Sequence, residues 1–122
     1  MSGKKLLECI PNFSEGRDNE KIEKIVNPFR KEKGVKLLDY SADEDHNRLV
    51  VTAIGGPNSL KNAVIKASGI AIEEIDMNKH EGEHPRMGAV DVVPFTPVKN
   101  VEMEEAVELS KNVAQTLSQK YD

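Results

Sequence analysis

Cysteine occurs once, at Cys9, so no internal disulfide can form and the default for this thiol is a small, reduced, buried side chain. No neighbour in sequence would stabilise a thiolate, which sets Cys9 aside as a nucleophile. Apolar runs are short as well, and none approaches the length of a membrane span. The basic start at Lys4-Lys5 is followed by apolar pieces that Glu8 and Pro11 interrupt, unlike a secretory signal, and a cytoplasmic location is expected. Excess positive charge is missing too. A formal net charge of -4 argues against a nucleic-acid footprint. Repeats and low-complexity linkers are absent. What is present, 122 residues of which 38% are hydrophobic, suits one domain with a single core and is too little for two.

Histidine is scarce, at three residues, and two of them fall in Lys79-His80-Glu81-Gly82-Glu83-His84-Pro85-Arg86-Met87-Gly88. A histidine held beside Arg86 and Lys79 can move a proton near neutral pH while the cations hold an anionic substrate. The same stretch matches the zinc-binding pattern HExxH, which works only on a helix that brings both imidazoles to one face. Gly82 weakens such a helix and Pro85 biases His84 toward extended backbone, so a bend is expected and no metal. Counting ligands alone leaves the metal open, because His46 or an acid can complete a set with His80 and His84.

Hydrophobic spacing gives alternating elements. Lys5 to Ile10 reads as a strand ended by Pro11, and Asp18 caps a helix whose apolar face is Ile22, Ile25, Val26 and Phe29. Pro28 is expected to kink that helix and Gly34 to stop it. Val35 to Tyr40 and Arg48 to Ile54 form a hairpin across an acidic turn at Ser41 to Asp45. Gly55-Gly56-Pro57-Asn58 opens a helix with Leu60, Ala63, Val64, Ala67, Ile70 and Ala71 inward. Val90 to Phe95 is a further β-run, and a last helix from Asn100 turns Met103, Ala106, Val107, Val113, Ala114 and Leu117 toward the core, its charged face solvated. The order βαββαβα predicts an α+β fold of the split βαβ kind, an antiparallel or mixed sheet with helices on one face plus a C-terminal helix.

Three stretches carry a resemblance: Cys9-Ile10-Pro11-Asn12-Phe13-Ser14-Glu15-Gly16, then Leu37-Leu38-Asp39 with Asp45-His46-Asn47-Arg48, and above all Ile75-Asp76-Met77 through His84-Pro85-Arg86-Met87-Gly88-Ala89-Val90-Asp91. Over nearly its whole length the chain resembles the N-terminal subdomain of glutamate formimidoyltransferase. The resemblance implies a ferredoxin-like βαββαβ sandwich and a dimeric cytoplasmic enzyme of histidine catabolism and one-carbon metabolism. Such an enzyme moves a formimino group from N-formimino-L-glutamate to tetrahydrofolate, with folate held between two subdomains and His84 at the catalytic position. The second, folate-binding subdomain has no counterpart in these residues, so 1-122 is expected to be one wall of a cleft that binds folate weakly by itself. The surface around His84, Arg86 and Phe95 is then expected to self-associate or to pair with a second subdomain.

The residues suit that chemistry. One histidine switching roles, His84, can take a proton from an attacking amine and return one to a departing nitrogen. Arg86 and Arg48 can grip carboxylates in bidentate geometry. Asp39 or Asp91 can orient an imidazole or hold a pterin amide edge, or simply cap a turn. Gly88 and Gly82 permit close backbone approach to a ligand, and Asn12 can donate to a ligand or cap a turn. Two other classes stay open: a non-catalytic binding or assembly module of the same fold, and a metal-assisted hydrolase using His80, His84 and Glu81.

Overall fold

A computed structural model describes residues 4–15, 17–74, 90–92 and 94–121, with side chains for all of these except 90–92 and 121. Among these residues nine elements follow in order: β1 (Leu6–Cys9), β2 (Asn12–Phe13), α1 (Asn19–Lys31), β3 (Val35–Asp43), β4 (Arg48–Gly55), α2 (Pro57–Glu74), β5 (Val90–Val92), β6 (Phe95–Lys99) and α3 (Met103–Tyr121).

Proline decides how the strands divide. Pro11 has no N–H to give to a ladder, and it splits what would be one strand into β1 and β2. Both halves pair antiparallel with β4, β1 along Ala53–Gly55 and β2 along Leu49–Val50. Pro94 stands between β5 and β6, which pair with β2 and β1 in the same way. The breaks are stitched across: Ile10 N–H donates to the Pro94 carbonyl at 3.2 Å, and Val51 N–H to the Pro11 carbonyl at 3.1 Å. Counting each broken pair as one strand, the order across the sheet is β3, β4, β1/β2, β6/β5, all antiparallel. That is the ferredoxin-like arrangement expected from the element order.

Helices cover one face. Along β4 the residues Leu49, Val51, Ala53 and Gly55 are buried, while Arg48, Val50, Thr52 and Ile54 alternate onto the other face. The buried row joins Leu7, Cys9, Phe13 and Phe95 and the inner faces of α1, α2 and α3 in one hydrophobic cluster. Asp18 caps α1 as expected, its Oδ1 accepting from the N–H groups of Glu20 at 3.0 Å and Lys21 at 3.3 Å. Ile22, Ile25, Val26 and Phe29 are all buried beneath it. Alanines, Ser68 and Gly69 on α2 let it sit between α1 and α3. Cys9 is fully buried, and that burial, with help from the negative charge of Glu8, pushes its thiol up to about 12.

Several boundaries differ from the sequence reading. α1 continues through Pro28 as expected, since a proline one turn from the end removes a single helical hydrogen bond, but it ends at Lys31 and not at Gly34. The hairpin strand β3 runs on to Asp43, and the run expected at Val90 to Phe95 is two strands reaching Lys99. The last helix starts at Met103, since Asn100 takes a left-handed φ of 56° that no helix start uses. Ile70 is half-buried at the margin of the cluster. Met103 and Val107 are not in the core: they are 62% and 44% exposed. Among the described residues α3 packs against α2 on one side and lies over the β6 edge on the other, and periodicity cannot tell which flank of an apolar arc has a neighbour. Phe95, expected on an uncovered surface, is 8% exposed, because it pairs with Cys9 on the helix-covered face.

Two outcomes follow. A Cβ on Gly55 would lie 2.6 Å from the Gly34 carbonyl oxygen, at the point where Val35 pairs with Gly55, whereas one on Gly56 meets nothing closer than 3.7 Å. Gly55→Ala is expected to cost about 1–3 kcal/mol in denaturant titrations and Gly56→Ala under about 1 kcal/mol; equal losses would contradict the close approach. Cys9 in the folded chain is expected to resist iodoacetamide at pH 8 and to react once denaturant is added, as followed by mass spectrometry.

Candidate functional site

The face of the sheet away from α1, α2 and α3 gathers three of the expected site residues. Asn12 on β2 pairs with Val50 of β4 and with Val92 of β5. Arg48 opens β4 two residues before Val50 on the same face, opposite Asp43. Asp39 on β3 pairs with Thr52, two residues beyond Val50. Strand spacing and rise put Arg48 about 8 Å from Asn12 and Asp39 about 12 Å from Asn12, measured between Cα atoms. His84, Arg86 and Gly88 lie outside the described residues, as do His80, Glu81 and Gly82. The described chain resumes at Val90, which pairs with Phe13.

Asp39 reaches this face through a bulge. Leu37 pairs with Ala53 on the helix side, and strict alternation would return residue 39 to that side. Leu38 is an extra residue in the ladder, so Asp39 pairs with Thr52 on the open face and Tyr40 with Val51 on the other. Tyr40 is then held from the helix layer. Its hydroxyl donates to Glu23 at 2.6 Å and accepts from Arg30 at 3.0 Å, and the guanidinium stands 5.3 Å from the ring centroid.

At the Arg48 end, two loops are tied together by groups that sequence reasoning did not single out. Glu15 is 8% exposed, and one of its oxygens accepts from the N–H groups of Arg17 at 3.1 Å and Asp18 at 3.0 Å. Arg17 Nε donates to the Glu44 carbonyl at 2.8 Å, joining the loop after β2 to the β3–β4 turn. In that turn Asp43 Oδ1 accepts from the backbone of Asp45 and His46, and its Oδ2 lies 2.6 Å from His46 Nδ1. The His46 side-chain hydrogen bond, and then its backbone N–H, hold the Asp43 carboxyl below the usual carboxylate range. A carboxyl lowered in this way supports the turn above its ordinary pKa and loses that effect as pH falls through the lowered value. In sequence these groups stood only as members of the acidic turn Ser41 to Asp45 and of the stretches Cys9 to Gly16 and Asp45 to Arg48.

Asn12 spends one amide hydrogen on the fold, donating to the Ile10 carbonyl at 3.1 Å across the Pro11 break. Among the described residues no three histidine, cysteine, aspartate or glutamate side chains cluster to hold a metal ion. A cavity of about 620 Å³ lies on the helix side between α1 and α2, walled by Lys24, Pro28, Lys31, Lys66 and Ile70. It contains none of the expected site residues.

Glu15→Ala strands two backbone donors and is expected to destabilise the chain by about 1–3 kcal/mol. Glu15→Gln keeps an acceptor oxygen and should lose clearly less. Urea titrations showing the two variants equally damaged would remove the carboxylate from this role.

With the geometry in place, comparison with known proteins identifies the family. The model for the formiminotransferase domain, N-terminal subdomain, matches residues 6–122. A glutamate formimidoyltransferase of Streptococcus pyogenes serotype M1 is 49% identical over 114 residues, which are 93% of this chain and 38% of the relative. A formimidoyltransferase-cyclodeaminase of Dictyostelium discoideum is 50% identical over 115 residues, 94% of this chain and 21% of the relative. A glutamate formimidoyltransferase of Thermoplasma acidophilum is 40% identical over 114 residues, with 93% and 38% covered. The chain thus spans between a fifth and two fifths of these relatives. It belongs to the formiminotransferase N-terminal subdomain family.

Proposed function

We propose that this chain is the histidine-bearing half of a folate-dependent formimidoyltransferase, transferring a formimino group from N-formimino-L-glutamate to tetrahydrofolate. The observation that carries the reading is the match of residues 6–122 to one subdomain of that family; in sequence, Lys79 to Gly88 stands just before β5, the strand that pairs with β2 at Asn12. Folate occupies the cleft between this subdomain and a second one, and the open sheet face contributes the wall that bears Asn12, Asp39 and Arg48. Half-buried Ile10, Val50 and Ile54 make that wall partly apolar, as a ligand cleft requires.

His84 acts as general base on the attacking folate amine while its nitrogen bonds to the formimino carbon. The resulting tetrahedral centre breaks its bond to the glutamate nitrogen, and the imidazolium of His84 returns the proton to that leaving group. Arg86 and Arg48 bind the carboxylates of formiminoglutamate or of the folate tail, charges that a planar guanidinium meets with paired hydrogen bonds. Asp39 orients the imidazole or the pterin edge, and Gly88, two residues before Val90, allows close backbone approach. No metal is required. The reaction takes place in the cytoplasm, in a homodimer or in a pair with the second subdomain.

The test is reconstitution with a separately expressed second subdomain. His84→Ala is expected to lower turnover by about two to four orders of magnitude with unchanged melting, and His80→Ala to do much less. A near-normal rate in the His84 variant would remove it from the mechanism. Failure of the intact pair to transfer would favour a non-catalytic assembly module.

A further inference from the structure

The run that β1 and β2 share lies inside the sheet, between β4 on one side and β6 and β5 on the other. Burial alternates along it without a break. Leu7, Cys9, Pro11 and Phe13 are buried under the helices, and Leu6, Glu8, Ile10 and Asn12 are half-buried on the opposite face. In this row Glu8 stands out. Its cross-strand neighbours are Ile54 on β4 and Thr96 on β6, and Leu6 and Ile10 flank it along the run. Among the described residues its carboxylate accepts no hydrogen bond and joins no ion pair. Glutamate is depleted in strands, and a carboxylate that gives up part of its hydration without a compensating donor destabilises the fold. Packing does not explain a carboxylate at this position.

Its surroundings define what it can meet. An ionised carboxylate presents two acceptor oxygens in one plane and matches a planar group that offers two adjacent N–H donors. The apolar side chains beside it suit the face of a ring. From Glu8 the row runs through Ile10 to Asn12, four residues and about 13 Å on, and Arg48 lies about 20 Å from Glu8 at the far end of the face. The face therefore carries a carboxylate at one end, an apolar stretch and an amide between, and a guanidinium at the other. Tetrahydrofolate has the complementary order: a pterin ring whose 2-amino group and N3–H point the same way at one end, and carboxylates at the other. N-formimino-L-glutamate, hardly longer than one residue, does not span that distance.

We propose that Glu8 is a pterin-binding residue of this subdomain, its carboxylate accepting from the 2-amino group and the N3–H of tetrahydrofolate while the ring lies over Ile10 and the reacting nitrogen falls toward Asn12. The assignment rests on the formimidoyltransferase reading of the chain. It leaves Asp39 to orient the imidazole.

Titration calorimetry and steady-state rates on the pair reconstituted with the second subdomain test it. Glu8→Gln keeps the shape and one acceptor oxygen but sets an amide NH2 against a ligand donor. It is expected to weaken tetrahydrofolate binding about ten- to a hundredfold, with KM for N-formimino-L-glutamate and melting unchanged. A tetrahydrofolate analogue with methyl in place of the 2-amino group gives a readout that a structural role does not move. The wild-type pair should bind it at least about tenfold more weakly than tetrahydrofolate, and the Glu8→Gln pair should bind the two within about threefold of each other. Unchanged tetrahydrofolate binding in Glu8→Gln, undiminished discrimination against the analogue, or a defect confined to KM for N-formimino-L-glutamate would each overturn the proposal. Glu8-dependent tetrahydrofolate binding by a pair that transfers nothing would keep this site and defeat the catalytic reading, and transfer with Glu8-independent binding would do the reverse. A pair that binds no tetrahydrofolate overturns both.

Discussion

One-sided burial is the constraint from which the rest of this molecule follows. A four-run antiparallel sheet has two faces, and α1, α2 and α3 seal only one of them over Leu7, Cys9, Phe13, Leu49, Val51 and Ala53. Strand alternation then has no freedom left. Every residue interleaved with the buried row must stand on the opposite face, so Arg48, Val50, Thr52 and Asn12 are placed there by the burial of their neighbours. Polar groups are carried on the face that can stay wet, and the core keeps the hydrocarbon. Function on the open face and stability on the covered one are two readings of one pleat.

The prolines and bulges adjust that pleat locally. Pro11 and Pro94 interrupt the two adjacent runs at the same level, and each carbonyl made available there is claimed by an N–H across the break. Asn12 adds its own side chain to the repair. At the sheet's edge, the extra residue Leu38 changes the phase of β3, turning Asp39 out and Tyr40 in. Tyr40 is locked there by Arg30 and Glu23 of α1, so the phase change is supported from the helix layer. Glu15 and Arg17 do comparable work at the Arg48 end, where a buried carboxylate and one guanidinium fasten the loop after β2 to the β3–β4 turn.

Among the described residues two partly apolar surfaces are left without cover, the sheet face away from the helices and the flank of α3. Ile10, Val50 and Ile54 make the first partly apolar, and Met103 and Val107 do the same for the second. Either surface is more stable when covered, and the two lie on different sides of the sandwich, so covering one leaves the other available.

Periodicity alone was enough to read the helical faces of α1 and α2 and the existence of the β3–β4 hairpin, because a buried stripe repeats at 3.6 residues on a helix and at two on a strand wherever the burial is. The Asp18 cap and the chain reversal at Gly34 were legible for a similar reason: both are local, needing only a side-chain oxygen near free N–H groups and a residue without a Cβ. The motif around His84 also belongs to the sequence, and with it the family. Tertiary structure decided what depends on partners distant in the chain. It put Met103 and Val107 outside the core, because among the described residues α3 has no neighbour beyond the β6 edge, and it put Phe95 inside, because Cys9 is its partner. It brought Asn12, Asp39 and Arg48 to one face through a register and a bulge that no local pattern encodes. Pattern reports how often a side chain recurs on one side of an element; only packing determines what stands on that side.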